Sequence, residues 1–212
     1  MYEYFFKRFI DITLSLLGLI VLFVPMIIIA IIIKIDSPGP ILFKQKRLAK
    51  DAAVFTMYKL RTMVVDAENM GSGVYSTKGD PRVSRVGKIL RAFSLDEIPQ
   101  FFNIVKGDMS LIGPRPPLTY HPWNIEDYTE EQKKRFLVKP GVTGWAQVHG
   151  RKGIQWEERI RYDVEYVENL SFGLDLKIFF KTIIKIITME DNQNIGETAI
   201  QSSANSKVDA KV

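Results

Sequence analysis

The longest apolar stretch of the chain lies near its N terminus. Residues 12–33 contain no charged side chain, and Asp11 and Lys34 stand at the two ends of the run. A helix needs ~20 predominantly apolar residues to cross the hydrocarbon core of a bilayer. The run is longer than the ~7–15-residue apolar core of a signal peptide, and no small-residue cleavage site follows it. The pattern therefore predicts a helix that enters a membrane.

The flanks of this segment leave open whether it crosses the membrane. Lys7 and Arg8 precede the run and further basic residues follow it, so positive charge favours neither orientation. Pro25, near the middle, removes one helix hydrogen bond and predicts a kink. Length alone favours a single span. The kink and the symmetric charges are also typical of a re-entrant helix, which returns to the face that it entered.

Strand-like patterns follow a breaker cluster, DSPGP at 36–40, that marks the exit from the membrane. Residues 41–43 and 54–61 are rich in β-forming side chains and predict two strands. The basic cluster KQKR at 44–47 lies between them. It is either a solvated hairpin edge or a contact for anionic lipid, and its closeness to the membrane segment favours lipid. Residues 84–93 then place apolar side chains on one face of a helix.

Three further helices are predicted in the C-terminal half. Residues 126–135 form a charged helix with a solvated face and Thr129 as a candidate N-cap, and residues 156–170 form an amphipathic helix. In the third, at 175–187, lysines recur every four residues among phenylalanines and isoleucines. Such a helix lies either at a membrane interface or against the core with its lysines in water. The polar residues 190–212 are predicted to be disordered.

Composition narrows the classes of function. The formal net charge is +5 and the pI is about 9.3, which indicates an anionic partner such as lipid headgroups, phosphorylated substrates or nucleic acid. The chain has no cysteine, which excludes disulfides and thiolate chemistry. Its two histidines, His121 and His149, are too few and too far apart in sequence for a zinc site.

The candidate chemistry lies in an adjacent carboxylate pair, Asp96 and Glu97, which we call the acidic pair. Pro99 is best tolerated in the first turn of a helix, so a helix is predicted to begin close after the pair. The positive end of that helix would favour ionised carboxylates. Arg91 and Arg115 lie on either side in sequence. Carboxylates among cations suit the binding of Mg²⁺ and phosphate, or attack on phosphorus.

A structural explanation of the acidic pair competes with this one. Residues 94–97 read SLDE, which fits a capping box with Ser94 as N-cap and Glu97 three residues later. Pro99 argues against the box, because it would then sit inside the helix and crowd the carbonyl of Leu95.

A series of short motifs runs along almost the whole chain. They are KRFID at 7–11, YKLRTM at 58–63, GKILR at 87–91, SLDE at 94–97, KGDMS at 106–110, GPRP at 113–116, KPG at 139–141, GWAQV at 144–148 and Arg151. In this series the sequence resembles the bacterial sugar transferases, the monotopic phosphoglycosyl transferases. Many members carry Ser-Pro at the break of the membrane helix, where this chain has Val24-Pro25.

The resemblance implies an α+β protein with three parts. Residues 1–40 would form a re-entrant membrane helix broken at Pro25, in place of a plain span. Residues 41–189 would form a small mixed catalytic domain with interfacial amphipathic helices, and 190–212 a polar tail. The family also implies a place in the bacterial inner membrane, with the catalytic domain on the cytoplasmic face.

The resemblance further implies an activity. Such enzymes transfer a sugar 1-phosphate from a UDP-sugar to polyprenyl phosphate, release UMP and require Mg²⁺. The role of nucleophile, which forms a phosphosugar–enzyme intermediate, falls on Asp96. Glu97 is expected to act as an acid–base partner or to organise the metal, with both carboxylates as candidate ligands.

Two phosphorylated substrates call for cations, and arginine offers bidentate contacts to phosphate. The candidates are Lys59, Arg61, Arg91, Arg115 and Arg151. Membrane lipids and a homodimer are further expected partners. Two other interpretations remain: a non-catalytic basic scaffold attached to a membrane, and a nucleic-acid-binding membrane protein. The lack of a recognisable nucleic-acid module counts against the second.

Overall fold

The computed structural model describes residues 2–71, 73, 76, 79–150 and 155–188. Within them the chain is a mixture of helices and two small sheets, as the α+β prediction requires. Arg151 and residues 190–212, on which two predictions rest, lie outside the described residues.

The N-terminal apolar segment forms two helices, α1 (Lys7–Val21) and α2 (Phe23–Asp36), bent by 60°. Leu22 between them has φ −89° and ψ 3°. The break was predicted at Pro25, and the structure places it three residues earlier. Proline crowds the carbonyl four residues earlier, here that of Val21. Ending α1 at Val21 places Pro25 in the first turn of α2, where its missing N–H costs nothing.

Neither helix of this pair is long and apolar enough to cross a membrane by itself, and the same holds for each of the other helices in the described ranges. Taken together, α1 and α2 reach the length and composition of a membrane segment. The polarity of α1 is inverted relative to a water-soluble helix. Lys7, Asp11 and Ser15 are buried, whereas Ile20 is 73% exposed and Phe23, the first residue of α2, is 63% exposed.

The first sheet is an antiparallel hairpin of β1 (Leu42–Leu48) and β2 (Val54–Leu60), with Leu42 opposite Leu60 and Leu48 opposite Val54. Two strands were expected here, but the basic cluster at 44–47 lies inside β1 and not between the strands. Alternate side chains of a strand face opposite sides. The cluster is therefore divided between the two faces of the hairpin, and Arg47 is half-buried.

The second sheet is a parallel pair, β3 (Ser110–Ile112) and β4 (Gly141–Thr143). Five further helices lie between residues 85 and 168: α3 (Arg85–Ala92), α4 (Gln100–Lys106), α5 (Glu130–Lys133), α6 (Trp145–Gly150) and α7 (Trp156–Glu168). Thr129 caps α5 as predicted, its hydroxyl accepting from Gln132 N. The single helix predicted at 126–135 is instead a set of short helical pieces, and Arg135 is buried rather than solvated.

The C-terminal helix, α8 (Phe172–Thr188), buries Ile178 and exposes much of its apolar face. Phe180, Ile184 and Ile187 are between 56% and 73% exposed. The ammonium of Lys181 lies 5.1 Å from the centroid of the Trp145 ring. Helix α8 therefore packs against the core through only part of its apolar side, and the position of the rest at a membrane interface stays a prediction.

Helix α1 is fixed against the part of the chain that follows the acidic pair. The Arg8 guanidinium donates to the carbonyls of Ile104, at 2.6 Å, and Val105, at 3.0 Å, near the end of α4. A Cβ on Gly18 would approach the Phe101 ring to 2.7 Å, so glycine allows α1 and α4 to pack closely. Through these contacts the N-terminal apolar segment supports α4.

Candidate active site

The acidic pair lies between α3 and α4. Ser84 caps the start of α3, accepting a hydrogen bond from Gly87 N. After α3 the backbone of Ser94 turns into the left-handed region, at φ 56°, and residues Leu95–Glu97 form a 3₁₀ turn. The Ser94 side chain makes no cap hydrogen bond to this turn, so the capping-box explanation is wrong. Helix α4 begins directly after Pro99, close to the predicted start.

A buried amide holds α4 against the hairpin. Asn103 Oδ1 accepts from the backbone N–H of Tyr58 at 3.1 Å, and its Nδ2 donates to the carbonyl of Thr56 at 2.7 Å. Both partners lie on β2, next to Lys59. The sheet edge and the helix therefore meet in a fixed register, which brings Lys59 to the acidic pair.

Glu97 is the centre of an ion-pair cluster. Its Oε1 accepts from Lys59 Nζ at 2.9 Å and from Arg115 Nη2 at 3.3 Å. Asp96 is buried, and its carboxylate receives no hydrogen bond from the described residues. The two carboxylates thus have different surroundings: Glu97 is neutralised by cations, whereas Asp96 borders the cavity described below and accepts no hydrogen bond within the described part of the chain.

Burial dominates the titration of this cluster. It raises the pKa of the Asp96 carboxyl; Lys59 lowers this pKa, Glu97 raises it, and Arg91 and Arg115 lower it. Burial likewise lowers the pKa of the Lys59 ammonium against the attraction of Glu97. Both shifts express the cost of holding charge away from water. The expectation that Asp96 is ionised because of the helix end and its cations thus meets an opposing burial effect.

A cavity of about 680 Å³ opens over the acidic pair, and we call it the polar cavity because charged and amide side chains form much of its lining. This volume is within the ~300–1,000 Å³ of small-molecule sites. Its wall includes Gln45 and Arg47 of β1, Lys59 of β2, and Glu68 and Asn69 of the segment before α3. Polar donors and acceptors on two sides suit a ligand that carries both phosphate and hydroxyl groups.

The predicted site residues fall into three groups. Lys59, Arg91, Arg115 and both members of the acidic pair line the polar cavity together. Arg61 also borders it, but its guanidinium donates to the carbonyls of Pro38 and, at 2.7 Å, Ser37, where α2 ends. Arg151 lies outside the described residues, so its assignment stays a prediction.

Arg47 also lines the polar cavity, although the basic cluster at 44–47 was predicted to contact lipid. It donates to Gln45 Oε1 at 2.6 Å and to the carbonyl of Pro116 at 2.7 Å, which ties the turn after Arg115 to the hairpin. Burial and the neighbouring Arg115 lower its pKa to about 9. The strand alternation through 42–48 was the signal that could have placed it inside the site.

The residues present fit a magnesium ion held partly by substrate. Among the described residues no cluster of three or more histidine or carboxylate side chains could hold a metal. Mg²⁺ usually binds through one or two protein carboxylates together with phosphates and water. Asp96, with Glu97 beside it, satisfies that pattern. Glu97 is already paired with two cations, so Asp96 is the better placed ligand.

A buried carboxylate that borders a cation-lined cavity is typical of sites that bind phosphorylated ligands. The sequence comparisons make this class more specific. The profile of the family described as Bacterial sugar transferase matches residues 2–189. The uncharacterized sugar transferase EpsL of Bacillus subtilis (strain 168) is 39% identical over 187 residues, which cover 88% of this chain and 90% of the relative.

Two further relatives have names that state an activity. A UDP-N-acetylgalactosamine-undecaprenyl-phosphate N-acetylgalactosaminephosphotransferase of Aeromonas hydrophila is 43% identical over 87% of this chain. A UDP-glucose:undecaprenyl-phosphate glucose-1-phosphate transferase of Escherichia coli (strain K12) is 40% identical over 84% of this chain. The matched regions cover 44% and 39% of those relatives, so the chain spans less than half their length.

The chain belongs to the bacterial sugar transferase family, which confirms the resemblance carried by its motifs.

Proposed function

We propose that this protein transfers a sugar 1-phosphate from a UDP-sugar to polyprenyl phosphate and releases UMP. The observation that carries the proposal is the buried Asp96 carboxylate, which faces a cavity lined by cations. The printed activities of the Aeromonas and Escherichia relatives support the substrate class. The sugar is not specified by these names, since they differ in it.

The reaction has two displacements at one phosphorus atom. An Asp96 carboxylate oxygen attacks the β-phosphorus of the UDP-sugar, and the bond from that phosphorus to the oxygen bridging the two phosphates breaks. UMP leaves with the bridging oxygen and its electron pair. An oxygen of the polyprenyl phosphate then attacks the same phosphorus, the bond to Asp96 breaks, and the carboxylate is regenerated.

The surrounding residues orient and neutralise the phosphates. Lys59 and Arg115 pair with Glu97 and also line the cavity, where they would contact phosphate oxygens, while Arg91 contributes positive charge from α3. Glu97 orients these cations and organises the metal next to Asp96. When bound, Mg²⁺ supplies further neutralisation of negative charge on the phosphates.

The proposal is tested by mass spectrometry of the protein after incubation with UDP-sugar and Mg²⁺, without lipid. We expect a sugar-phosphate adduct on the peptide that holds Asp96, with at most one UMP released per protein. Asp96→Asn should abolish both. The matched control is Asp51→Asn, an exposed site in the left-handed region where asparagine fits. Full turnover by Asp96→Asn would instead favour the non-catalytic scaffold.

We also propose that α1 and α2 form a re-entrant membrane element on the cytoplasmic face of the inner membrane. The inverted polarity of α1 and the exposed apolar face of α8 support it. Single cysteines replacing Tyr2 and Lys50 can be labelled with an impermeant reagent in intact cells. Neither should react until the cells are opened. Reaction of the first alone from outside would indicate a spanning segment.

A further inference from the structure

A second opening, which we call the apolar groove, reaches the acidic pair beside the polar cavity. Its volume is about 260 Å³. Two residues, Glu97 and Arg115, line both spaces. The site thus has two entrances that differ in chemistry and share one ion pair.

The walls of the apolar groove are mostly hydrocarbon. They include Leu22 at the bend between α1 and α2, Phe101 of α4, Val142 of β4, Val148 of α6 and Ile186 of α8. Of these residues, Leu22 joins α1 to α2 and Ile186 lies on α8, and these three helices carry exposed apolar side chains. The groove therefore borders the helices whose exposed apolar faces would meet an apolar molecule first.

Positive charge is placed along this hydrocarbon path. Arg115 lies where the groove meets the acidic pair, and Lys185 of α8 also lines the groove. A ligand that fits this pattern has a single anionic head and an apolar chain. A UDP-sugar fits it poorly, because the base and sugar hydroxyls would lose water without gaining partners.

We infer that the apolar groove binds the phosphate-proximal isoprenyl units of polyprenyl phosphate and directs the phosphate to Arg115. The inference rests on the proposed function, and it assigns the lipid substrate to its own entrance. The groove is smaller than the ~300–1,000 Å³ of whole-ligand sites, so the remaining chain stays in the bilayer. Separate entrances explain how nucleotide and lipid reach one carboxylate in turn without exchanging places.

Direct binding is tested with farnesyl phosphate that carries a photoreactive diazirine near its first isoprene unit. The protein is irradiated in detergent without UDP-sugar, and labelled peptides are mapped. We expect labels on the peptides of Phe101 and Ile186, removed by undecaprenyl phosphate but not by farnesol. Labels confined to other peptides, or equal competition by farnesol, would overturn the inference. This assay needs no turnover, so its result is independent of the covalent mechanism.

A matched pair of variants tests the role of the groove in catalysis. Ile186→Trp fills the groove, whereas Ile187→Trp places the same side chain one residue away at a 73% exposed position that does not line it. Ile186→Trp should keep the UMP burst from UDP-sugar and lose about tenfold or more in transfer to the lipid. Ile187→Trp should match the unmodified protein in both steps. Unchanged lipid transfer by Ile186→Trp would refute the assignment.

Lys185 provides a second, milder test. Lys185→Gln should raise the KM for the lipid acceptor about two- to fivefold, as expected for a partly exposed charge pair. The control is Lys177→Gln on the same helix, outside the groove. Equal acceptor KM values for the two variants would remove Lys185 from the phosphate path. Loss of the UMP burst in the unmodified protein would instead count against the proposed covalent mechanism.

Discussion

Replacing Arg135 should remove the hydrogen bond that holds the turn carrying Arg115. Arg135 donates to Asp163 Oδ2 at 2.7 Å and to the carbonyl of Arg115 at 2.9 Å. The side chains of Arg135 and Asp163 are 0% and 1% exposed. The guanidinium also lies 4.9 Å from the centroid of the Trp156 ring. Arg135→Met keeps much of this volume but leaves Asp163 without its cation.

The expected cost follows from the burial of the pair. Removing one partner of a buried ion pair destabilises a protein by about 3–5 kcal/mol, because the other charge stays buried. Typical domains have a free energy of unfolding of only ~5–15 kcal/mol, so the loss is severe. Replacing both partners by apolar groups is often neutral. Arg135→Met combined with Asp163→Leu should therefore recover most of the stability lost in the single variant.

The pH dependence identifies the group responsible. Burial raises the pKa of the Asp163 carboxyl to about 6, against the lowering effect of Arg135. The folded protein thus holds this proton more tightly than the unfolded chain, whose aspartates titrate at ~3.9. Protonation of Asp163 therefore stabilises the fold. This contribution to the free energy of unfolding grows as the pH falls through 6 and is complete below the pKa of the unfolded chain. Without Arg135 the pKa rises further, so Arg135→Met should gain stability on acidification already above pH 6.

The measurement is denaturant unfolding of the purified protein in detergent, followed by tryptophan fluorescence at pH 8 and about pH 5.5. The single variant should lose most at pH 8, and the double variant should show a weaker pH dependence. Identical pH dependence in the two variants would refute the assignment to Asp163. A single variant as stable as the unmodified protein would refute the whole account of the pair.

Three further predictions concern packing and the cations. Gly18→Val should destabilise the protein by about 1–3 kcal/mol, measured by unfolding, and adding Phe101→Ala should restore part of this by making room for the new side chain. Arg115→Ala should lower kcat/KM for UDP-sugar by ~10²-fold, and lysine should rescue it only partly because it lacks the planar fork. Arg61→Met should speed proteolysis near residues 37–40, because the Arg61 guanidinium binds the backbone at the end of α2. The KM for UDP-sugar should stay nearly unchanged. A large rise in that KM would return Arg61 to the substrate site.

Local patterns predicted much of the fold. The periodicity at 84–93 matches α3, the patterns at 156–170 and 175–187 match α7 and α8, and the β-rich segments match the hairpin. Each of these elements is defined by neighbours within a few residues, where side-chain periodicity is informative. The acidic pair before a helix was predictable for the same reason, since the proline two residues after it limits where that helix can begin.

Long-range pairing accounts for what the sequence did not reveal. The segments of the parallel pair β3–β4 are three residues each and lie about 30 residues apart, too short for a period to be visible. In the sequence, Arg135 cannot be distinguished from an exposed arginine. Its burial follows from its ion pair with Asp163. Arg47 was misplaced because basic composition outweighed strand alternation. In each case the deciding partner is distant along the chain.

The attachments of α1 and α2 support our proposal that the pair forms a re-entrant element. Lys7, at the start of α1, pairs with Asp175 at 2.7 Å, and Arg61 holds the carbonyl of Ser37 directly after α2. Both ends are therefore fixed to the part of the chain that follows α2. At 1.5 Å per residue the helices are about 22 and 21 Å long. With a 60° bend the apex stands only ~11 Å from the line that joins the ends, well short of the ~30 Å hydrocarbon core. A spanning pair would have to carry one of these ends, and the residues that hold it, to the opposite face.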